Sequence, residues 1–264
     1  MKIGFIGCGN MAQAIIGGII NSKLTSPENI IASDAYKPTR EDAEKKFEIK
    51  TSADNLEVAK TSDVIVLALK PQFYGDAIEE IKDSIKDDAL IITIAPGQTL
   101  DQVENLFGKE VKIVRTMPNT PALVGEGMTA MCPNKHTTEE DKKTAKSILE
   151  SFGNCEEVPE YMMDTVTAIS GSAPAYVFMM IEAMADGAVA KRMTRPLAYK
   201  MAAQAVLGSA KMVLESGKHP GELKDMVTSP GGTTAAAIRE LEKQGFRSAL
   251  IEALCVCQEK SEEL

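Results

Sequence analysis

The stretch Ile3–Ala12 reads IGFIGCGNMA, and it decides the fold of the first half of the chain. Its first four residues form an apolar run typical of a buried β-strand, and a helical pattern follows as far as Asn21. A tight turn requires a residue without Cβ at Gly7, Gly9 lets backbone N–H groups approach a pyrophosphate, and small Ala12 permits close packing of helix on strand. The stretch therefore predicts a dinucleotide site with its phosphates at the positive end of the first helix.

Short β-branched runs alternate with amphipathic helical patterns as far as about residue 159. The run Val64–Leu69 is apolar throughout instead of alternating, as expected for a strand that helices cover on both faces. We therefore predict an α/β N-terminal Rossmann-type domain with a doubly wound, mainly parallel sheet. The predicted strands are Ile3–Ile6, Ile30–Ser33, Val64–Leu69, Leu90–Ile94 and Val111–Arg115, and the helices between them include Thr39–Phe47, Tyr74–Ile81 and Leu100–Phe107.

The composition changes near residue 160. Strand signals stop after Pro159, and Met and Ala replace Val and Ile at the apolar positions. Two long helices, Pro174–Lys191 and Pro196–Ser216, each begin with a proline, which is favoured in the first helical turn. We predict a dinucleotide-binding domain over residues 1–159 and an all-α C-terminal domain over residues 160–264. The apolar stripe of Met179, Met180, Met184 and Val189 fits ordinary core or a subunit interface, and both interpretations stay open.

Charge and cysteine content narrow the class of protein. The formal net charge of -9, with 29 Lys and Arg against 38 Asp and Glu, provides no basic footprint for nucleic acid or an anionic membrane. No uninterrupted apolar run approaches the roughly 18 residues of a membrane span, and the first strand begins at Ile3, so we expect a cytoplasmic protein. The five cysteines form no CxxC motif, which disfavours a disulfide framework and a zinc site, and we expect no metal.

The end of the second predicted strand carries the clue to the cofactor. Asp34 stands roughly 20 residues beyond the glycines, where a carboxylate accepts both ribose hydroxyls of NAD and repels the 2′-phosphate of NADP. Lys37 and Arg40 follow within one or two helical turns, where they either neutralise that phosphate or form a solvated charge cluster. NAD(H) and NADP(H) therefore both stay open. The triplet Lys70-Pro71-Gln72 follows a buried strand, which places it at the carboxyl edge of the sheet near the cofactor.

In the helical half, residues 229–235 read SPGGTTA at the start of an amphipathic helix. Two glycines followed by two threonines direct several N–H and O–H donors toward one point, which suits a small carboxylate. An ordinary N-cap needs a single hydroxyl, so we favour a substrate anion site over a plain cap. His136 and His219 both lie in turns and do not look like catalytic bases. The scarcity of histidine disfavours the dehydrogenation of an alcohol, which needs a strong proton acceptor, and favours imine chemistry.

Seven blocks occur in one order along nearly the whole chain and together resemble the Δ1-pyrroline-5-carboxylate reductase family. That resemblance implies an NAD(P)H-dependent oxidoreductase acting on a CH–NH group, which reduces the C=N bond of 1-pyrroline-5-carboxylate to give L-proline in the last step of proline biosynthesis. The blocks are FIGCGNMA at 5–12, ALKPQ at 68–72, NTP at 119–121, SGSAPAY at 170–176, HPGELKD at 219–225, TSPGGTT at 228–234 and GFR at 245–247.

The resemblance also implies site residues. The substrate carboxylate would be bound by Ser229, Gly231, Gly232, Thr233 and Thr234, with the Thr234 hydroxyl as the catalytic group near the ring nitrogen. The cofactor would be bound by Ile6, Gly7, Cys8, Gly9, Asn10, Met11, Asp34, Asn55, Ala68, Leu69, Lys70, Pro71 and Ala95.

Assembly and departures follow from the same resemblance. It implies a homodimer intertwined through the helical domain, with dimers joined into larger rings, and an active site that combines two subunits. The chain departs from the family pattern at Asp34, where relatives often carry Ser, at Ala173, where glycine is common, and at Gly217, where some relatives carry glutamate.

Two other functions are considered. A reductase like the β-hydroxyacid dehydrogenases would need a catalytic lysine on the first long C-terminal helix, and Ser172–Ala183 contains none. A non-catalytic NAD(P)H-sensing regulatory protein would need no second ligand site, which conflicts with residues 229–234.

Overall fold

The computed structural model describes residues 1–263, which form two compact units. The first comprises Met1–Ser172 together with the C-terminal residues from Cys257, and the second comprises Ala173–Val256. The boundary between the two units therefore lies after Ser172 and not after residue 159, and the residues from Cys257 belong to the first unit. The functional division after residue 159 stays a prediction.

An eight-stranded sheet forms the centre of the first unit. The strands are β1 Ile3–Ile6, β2 Ile30–Ser33, β3 Lys50–Ser52, β4 Val64–Leu67, β5 Leu90–Thr93, β6 Lys112–Met117, β7 Gly127–Pro133 and β8 Gly153–Glu157. Their order in the sheet is β3-β2-β1-β4-β5-β6-β7-β8. Neighbouring strands from β3 to β6 are parallel, β7 is antiparallel to β6, and β8 is parallel to β7. This topology confirms the doubly wound, mainly parallel α/β sheet.

Helices cover both faces of this sheet. Val64 and Val66 of β4 join the core on one face, whereas Ile65 and Leu67 join the core on the other. This arrangement explains why the run is apolar throughout. The helices of the first unit are α1 Asn10–Asn21, α2 Lys37–Phe47, α3 Asn55–Thr61, α4 Tyr74–Ile81, α5 Leu100–Phe107, α6 Glu139–Leu149 and α7 Met163–Val166.

Several sequence-based predictions about strands were wrong. The three strands β3, β7 and β8 were not predicted, and the segment after β6 forms a 3-10 helix, Thr120–Val124, followed by β7. The strand predicted to reach Leu69 ends at Leu67, because the chain there turns into the loop that leads to Pro71. β3 and β8 lie at the two edges of the sheet and are mostly polar, so their sequences lack the apolar signal of a buried strand.

The second unit is helical, as predicted. Its long helices begin and end within one residue of the predicted bounds, after a π-helix over Thr167–Gly171 in the first unit. The helices are α8 Ala173–Ala190, α9 Arg195–Ser216, α10 Pro220–Met226, α11 Thr233–Lys243 and α12 Phe246–Glu262, the last of which runs on into the first unit.

Apolar surface is exposed on the second unit. Met179 of α8 and Leu214 of α9 are 73% and 79% exposed, so ordinary core does not account for the methionine stripe. By length and composition alone, the segment Glu160–Ala190 could also cross a membrane, since one 18-residue window has a mean hydropathy of 1.2 and is only 17% buried.

Candidate active site

The turn at Gly7–Gly9, called the glycine turn below, brings the ends of three strands together. Gly7 has φ +96°, and a Cβ there would lie 2.4 Å from the Ala68 carbonyl oxygen. The Gly7 N–H donates to the Ser33 carbonyl at 2.8 Å, and the Ala68 N–H donates to the Ile6 carbonyl at 2.8 Å. Only glycine fits this close approach at a positive φ. The carboxyl ends of β1, β2 and β4 therefore meet at one edge of the sheet, where folds of this type bind ligands.

The N-terminus of α1 opens at this same edge. Gly9 is its N-cap, in an extended conformation with no side chain capping the helix, and a Cβ there would meet no atom within 4 Å. The backbone N–H groups at the start of a helix, here those of Asn10 and Met11, have no partner inside the helix and carry partial positive charge. An open, uncapped N-terminus of this kind suits a phosphate.

Asp34 is fixed against the glycine turn by main-chain donors. Its Oδ2 accepts the Cys8 N–H at 2.9 Å, and its Oδ1 accepts the Tyr36 N–H at 2.8 Å. The Arg40 guanidinium donates to the main-chain carbonyl of the same aspartate. Lys37 instead pairs with Glu41 at 3.2 Å, and its side chain is 74% exposed. The two cations near Asp34 thus differ, since only Arg40 contacts the end of β2.

The Cys8 thiol lies beneath this turn and is fully buried. Burial, followed by the charge of Asp34, raises the pKa of Cys8 to about 11. The thiol is therefore neutral near pH 7, and Cys8 contributes its backbone to the site instead of a nucleophile.

A cavity of about 460 Å³ opens beside the turn. It brings together seven of the predicted cofactor residues, and sequence reasoning missed the acidic and aromatic side chains that complete its wall. The lining comprises Gly7, Gly9, Asp34, Ala35, Asn55, Ala68, Leu69, Lys70, Phe73, Asp76, Ala77 and Glu80.

The remaining predicted cofactor residues lie outside this lining. Ile6 and Cys8 are buried beneath the turn, and Asn10 and Met11 begin α1. Pro71 begins a 3-10 helix that precedes α4. Ala95 is 3% exposed and follows β5, the strand next to β4.

Two side chains fix the walls of the cavity. Asn55 accepts a hydrogen bond from the Ser33 hydroxyl at 2.6 Å and donates to Glu80 at 2.7 Å. The Tyr74 hydroxyl donates to the Leu67 carbonyl at 2.8 Å, directly before the loop that begins at Ala68. Burial raises the pKa of Tyr74, so this hydroxyl keeps its proton. Sequence reasoning missed Tyr74, whose partner is a main-chain atom that no motif marks.

Asn119 of the NTP block makes two structural contacts in the first unit. Its side chain donates to the Ser170 carbonyl at 3.0 Å and accepts the Met128 N–H at 2.9 Å. A Cβ at Gly171 would lie 2.6 Å from the terminal methyl group of Met117, so the Met117 side chain packs directly against this glycine. Asn119 and Gly171 thus hold the start of the SGSAPAY block against the end of β6.

The TSPGGTT block forms a tight turn into α11. The Gly232 N–H donates to the Ser229 carbonyl at 3.0 Å, and Gly231 has φ +68°, which together with Pro230 defines a type II turn. Gly232 is the N-cap, and no side chain caps the helix. A Cβ at Gly232 would lie 2.4 Å from the Ser229 hydroxyl oxygen, so that hydroxyl lies directly beside the N-terminus. An uncapped terminus that begins with Thr233 and Thr234 has the chemistry of an anion site.

His219 has a structural role. Its Nδ1 accepts the Gly221 N–H at 3.0 Å and caps α10. This contact agrees with the sequence-based interpretation that the residue is not a catalytic base.

A Rossmann-type sheet with this glycine turn, joined to a separate helical unit, is the architecture of a nucleotide-dependent oxidoreductase. Residues 160–264 match the family model for pyrroline-5-carboxylate reductase dimerisation, and residues 2–97 match the model for NADP oxidoreductase coenzyme F420-dependent. The pyrroline-5-carboxylate reductase of Escherichia coli is 51% identical over 266 residues, which cover 100% of this chain and 98% of that protein.

Solved structures agree with this match. The Coxiella burnetii pyrroline-5-carboxylate reductase superposes with a TM-score of 0.93 at 36% identity over 99% of this chain and 97% of that one. The Plasmodium falciparum pyrroline carboxylate reductase with NADP bound superposes with a TM-score of 0.90 at 37% identity over 100% of this chain and 97% of that one. The chain belongs to the pyrroline-5-carboxylate reductase family, and its helical part is a homo-oligomerisation domain.

The approach of Gly7 to Ala68 yields a testable prediction. We expect Gly7→Ala to weaken NADH binding by about tenfold or more, since the new methyl group displaces the loop that lines the cavity. Gly108→Ala is the matched control, because Gly108 also has a positive φ, +65°, but a Cβ there meets no atom within 4 Å. It should cost only about 1 kcal/mol of unfolding free energy and leave binding intact. Fluorescence titration with NADH measures both, and wild-type affinity in Gly7→Ala would contradict this account.

Proposed function

We propose that this chain transfers a hydride from NAD(P)H to the C=N bond of 1-pyrroline-5-carboxylate and so produces L-proline. The observation that carries the proposal is the uncapped N-terminus of α11, with the Ser229 hydroxyl beside it, in a chain that also has a dinucleotide turn. A reductase for a small anionic imine needs both features. Full-length similarity to pyrroline-5-carboxylate reductases supports the same reaction.

The cofactor would lie along residues 6–11, with its pyrophosphate on the N-terminus of α1. Asp34 and Asn55 would bind the adenosine ribose, and Ala68–Pro71 with Ala95 would line the path toward the nicotinamide. The cavity of about 460 Å³ and the open space above Gly9 support this assignment. When bound, a dihydronicotinamide supplies the hydride.

The substrate carboxylate would bind to Ser229 and to the backbone N–H groups of Gly231–Thr234, and the Thr234 hydroxyl would hydrogen-bond near the ring nitrogen. A protonated imine is already electrophilic, so orienting its carbon toward the hydride donor supplies much of the acceleration. The ring nitrogen keeps its proton and becomes the amine of proline. In this scheme Thr234 orients the ring, and no separate general acid is needed.

The two parts of the chain would divide the work. Residues 1–159 would bind the dinucleotide, and residues 160–264 would bind substrate and form the dimer, with dimers joined into a ring. The exposed apolar side chains of α8 and α9 support subunit contacts, since a partner copy would cover them. We place the protein in the cytoplasm, bound to neither membrane nor nucleic acid.

Two rival functions receive less support. A β-hydroxyacid dehydrogenase-like reductase would need a lysine in the first half of α8, and the sequence has none there. A regulatory NAD(P)H sensor would leave the anion site of α11 without a role.

Turnover tests the proposed reaction. Purified protein should oxidise NADH or NADPH only when pyrroline-5-carboxylate is added, with proline as product. Thr234→Ala should lower turnover by about tenfold or more while cofactor affinity stays unchanged, because the lost hydroxyl would contact substrate alone. Thr228→Ala is the neighbouring control, since that hydroxyl already donates to the Lys224 carbonyl at 2.6 Å. Cofactor binding without proline formation would favour the sensor.

Sedimentation in detergent-free buffer tests the assembly. We expect a soluble dimer or a multiple of it, and we expect Met179→Asp to shift the protein toward monomer, since it places a charge on an apolar interface. Lys211→Ala on α9 is the control and should leave the sedimentation coefficient unchanged. A wild-type protein that is monomeric, or that needs detergent to stay in solution, would contradict the proposed assembly.

A further inference from the structure

We propose that Asp34 makes NADH the preferred cofactor of this chain, and that Arg40 would hold a 2′-phosphate if the Asp34 carboxylate were removed. The inference rests on the proposed function, because it concerns the same nucleotide site. It states which of the two cofactors the site selects and which residues select it.

The Asp34 carboxylate is fixed in place. Both of its oxygens accept main-chain N–H groups, one from Cys8 in the glycine turn and one from Tyr36. Rotating the carboxylate away to admit a phosphate would leave the buried Cys8 N–H without its acceptor, which is costly. Each oxygen still has a second lone pair, so ribose hydroxyls can donate to the carboxylate where it stands.

Negatively charged side chains predominate in the lining of the cavity. Three carboxylates line it, those of Asp34, Asp76 and Glu80, and the only ammonium group in the lining is that of Lys70. A 2′-phosphate adds one to two negative charges beside the ribose. Because Asp34 stands at the end of β2, where the ribose binds in this fold, repulsion falls on NADPH and not on NADH.

Arg40 is the cation that contacts Asp34. Its guanidinium donates to the main-chain carbonyl of Asp34, so it lies at the end of β2 and is partly buried. A guanidinium has five N–H donors in a planar fork that matches phosphate, and this contact uses one of its nitrogens. Lys37 lies further from the end of β2, since it pairs with Glu41 and its side chain is 74% exposed. Of these two cations, Arg40 is thus the one that contacts the end of β2, although it does not line the cavity.

The Plasmodium falciparum pyrroline carboxylate reductase has NADP bound in its structure. In this chain the aspartate at position 34 supplies the negative charge that opposes the extra phosphate.

A double-mutant cycle tests both parts of the proposal. The variants are Asp34→Ser, Arg40→Ala and the double variant, with Asp34→Asn as a second replacement that keeps an acceptor for the Cys8 N–H. Asp101→Asn is the charge control, because Asp101 is exposed on α5 and does not line the cavity. Dissociation constants for NADH and NADPH come from dihydronicotinamide fluorescence, and those for ADP and adenosine 2′,5′-bisphosphate come from calorimetry.

We expect wild type to bind NADH about tenfold or more tightly than NADPH, and Asp34→Ser and Asp34→Asn to tighten NADPH and the bisphosphate by at least about tenfold. The double variant should lose that gain, and Asp101→Asn should leave the NADH to NADPH ratio at its wild-type value. ADP and adenosine 2′,5′-bisphosphate should show the same pattern as NADH and NADPH. They lack the nicotinamide but keep the adenosine ribose, where the discrimination takes place.

The outcomes separate this inference from the proposed function. Wild-type preference for NADPH, or an unchanged ratio in both Asp34 variants, would overturn the role of Asp34. A gain that persists in the double variant would overturn the role of Arg40. If neither dinucleotide binds to wild type, the proposed reductase function fails, and the cofactor inference fails with it.

Discussion

The nucleotide half of this molecule depends on one close approach between two strand ends. With no Cβ on Gly7, the backbone after β1 lies against the Ala68 carbonyl after β4, where a methyl group would lie 2.4 Å from that oxygen. The same turn presents the Cys8 N–H to Asp34 at the end of β2 and leads directly into the uncapped N-terminus of α1. A single turn thus fixes the N-terminus of α1, the Asp34 carboxylate and part of the cavity wall, which we propose bind the phosphates and the ribose.

The two halves of the chain share one structural feature that suits anions. Both α1 and α11 begin with a glycine N-cap and have no capping side chain, so their first N–H groups remain available to a ligand. The difference lies in what stands beside each terminus. At α1 the open space above Gly9 suits a pyrophosphate, whereas at α11 the Ser229 hydroxyl and two threonines suit a small carboxylate. Neither terminus needs a buried lysine or arginine to attract its anion.

Local patterns predicted the features that depend on neighbouring residues. The glycine turn, the apolar run of β4 and the two long helices follow from steric and periodic rules that operate within a few residues. The strand β7 was missed because its pairing with β6 depends on partners outside its own sequence, and the polar edge strand β8 offers little apolar signal. Tyr74 and Asn119 were missed as structural contacts because they bond main-chain atoms that only the folded chain brings near.

The most direct measurement is a crystal structure of the chain with NADH and proline. The account requires the pyrophosphate oxygens within hydrogen-bond distance of the backbone N–H groups that begin α1, and the proline carboxylate at the N–H groups of Gly231–Thr234 with its ring beside the nicotinamide. A dinucleotide bound away from Gly7–Met11, or a Gly231–Thr234 turn without ligand and remote from the nicotinamide, would contradict it.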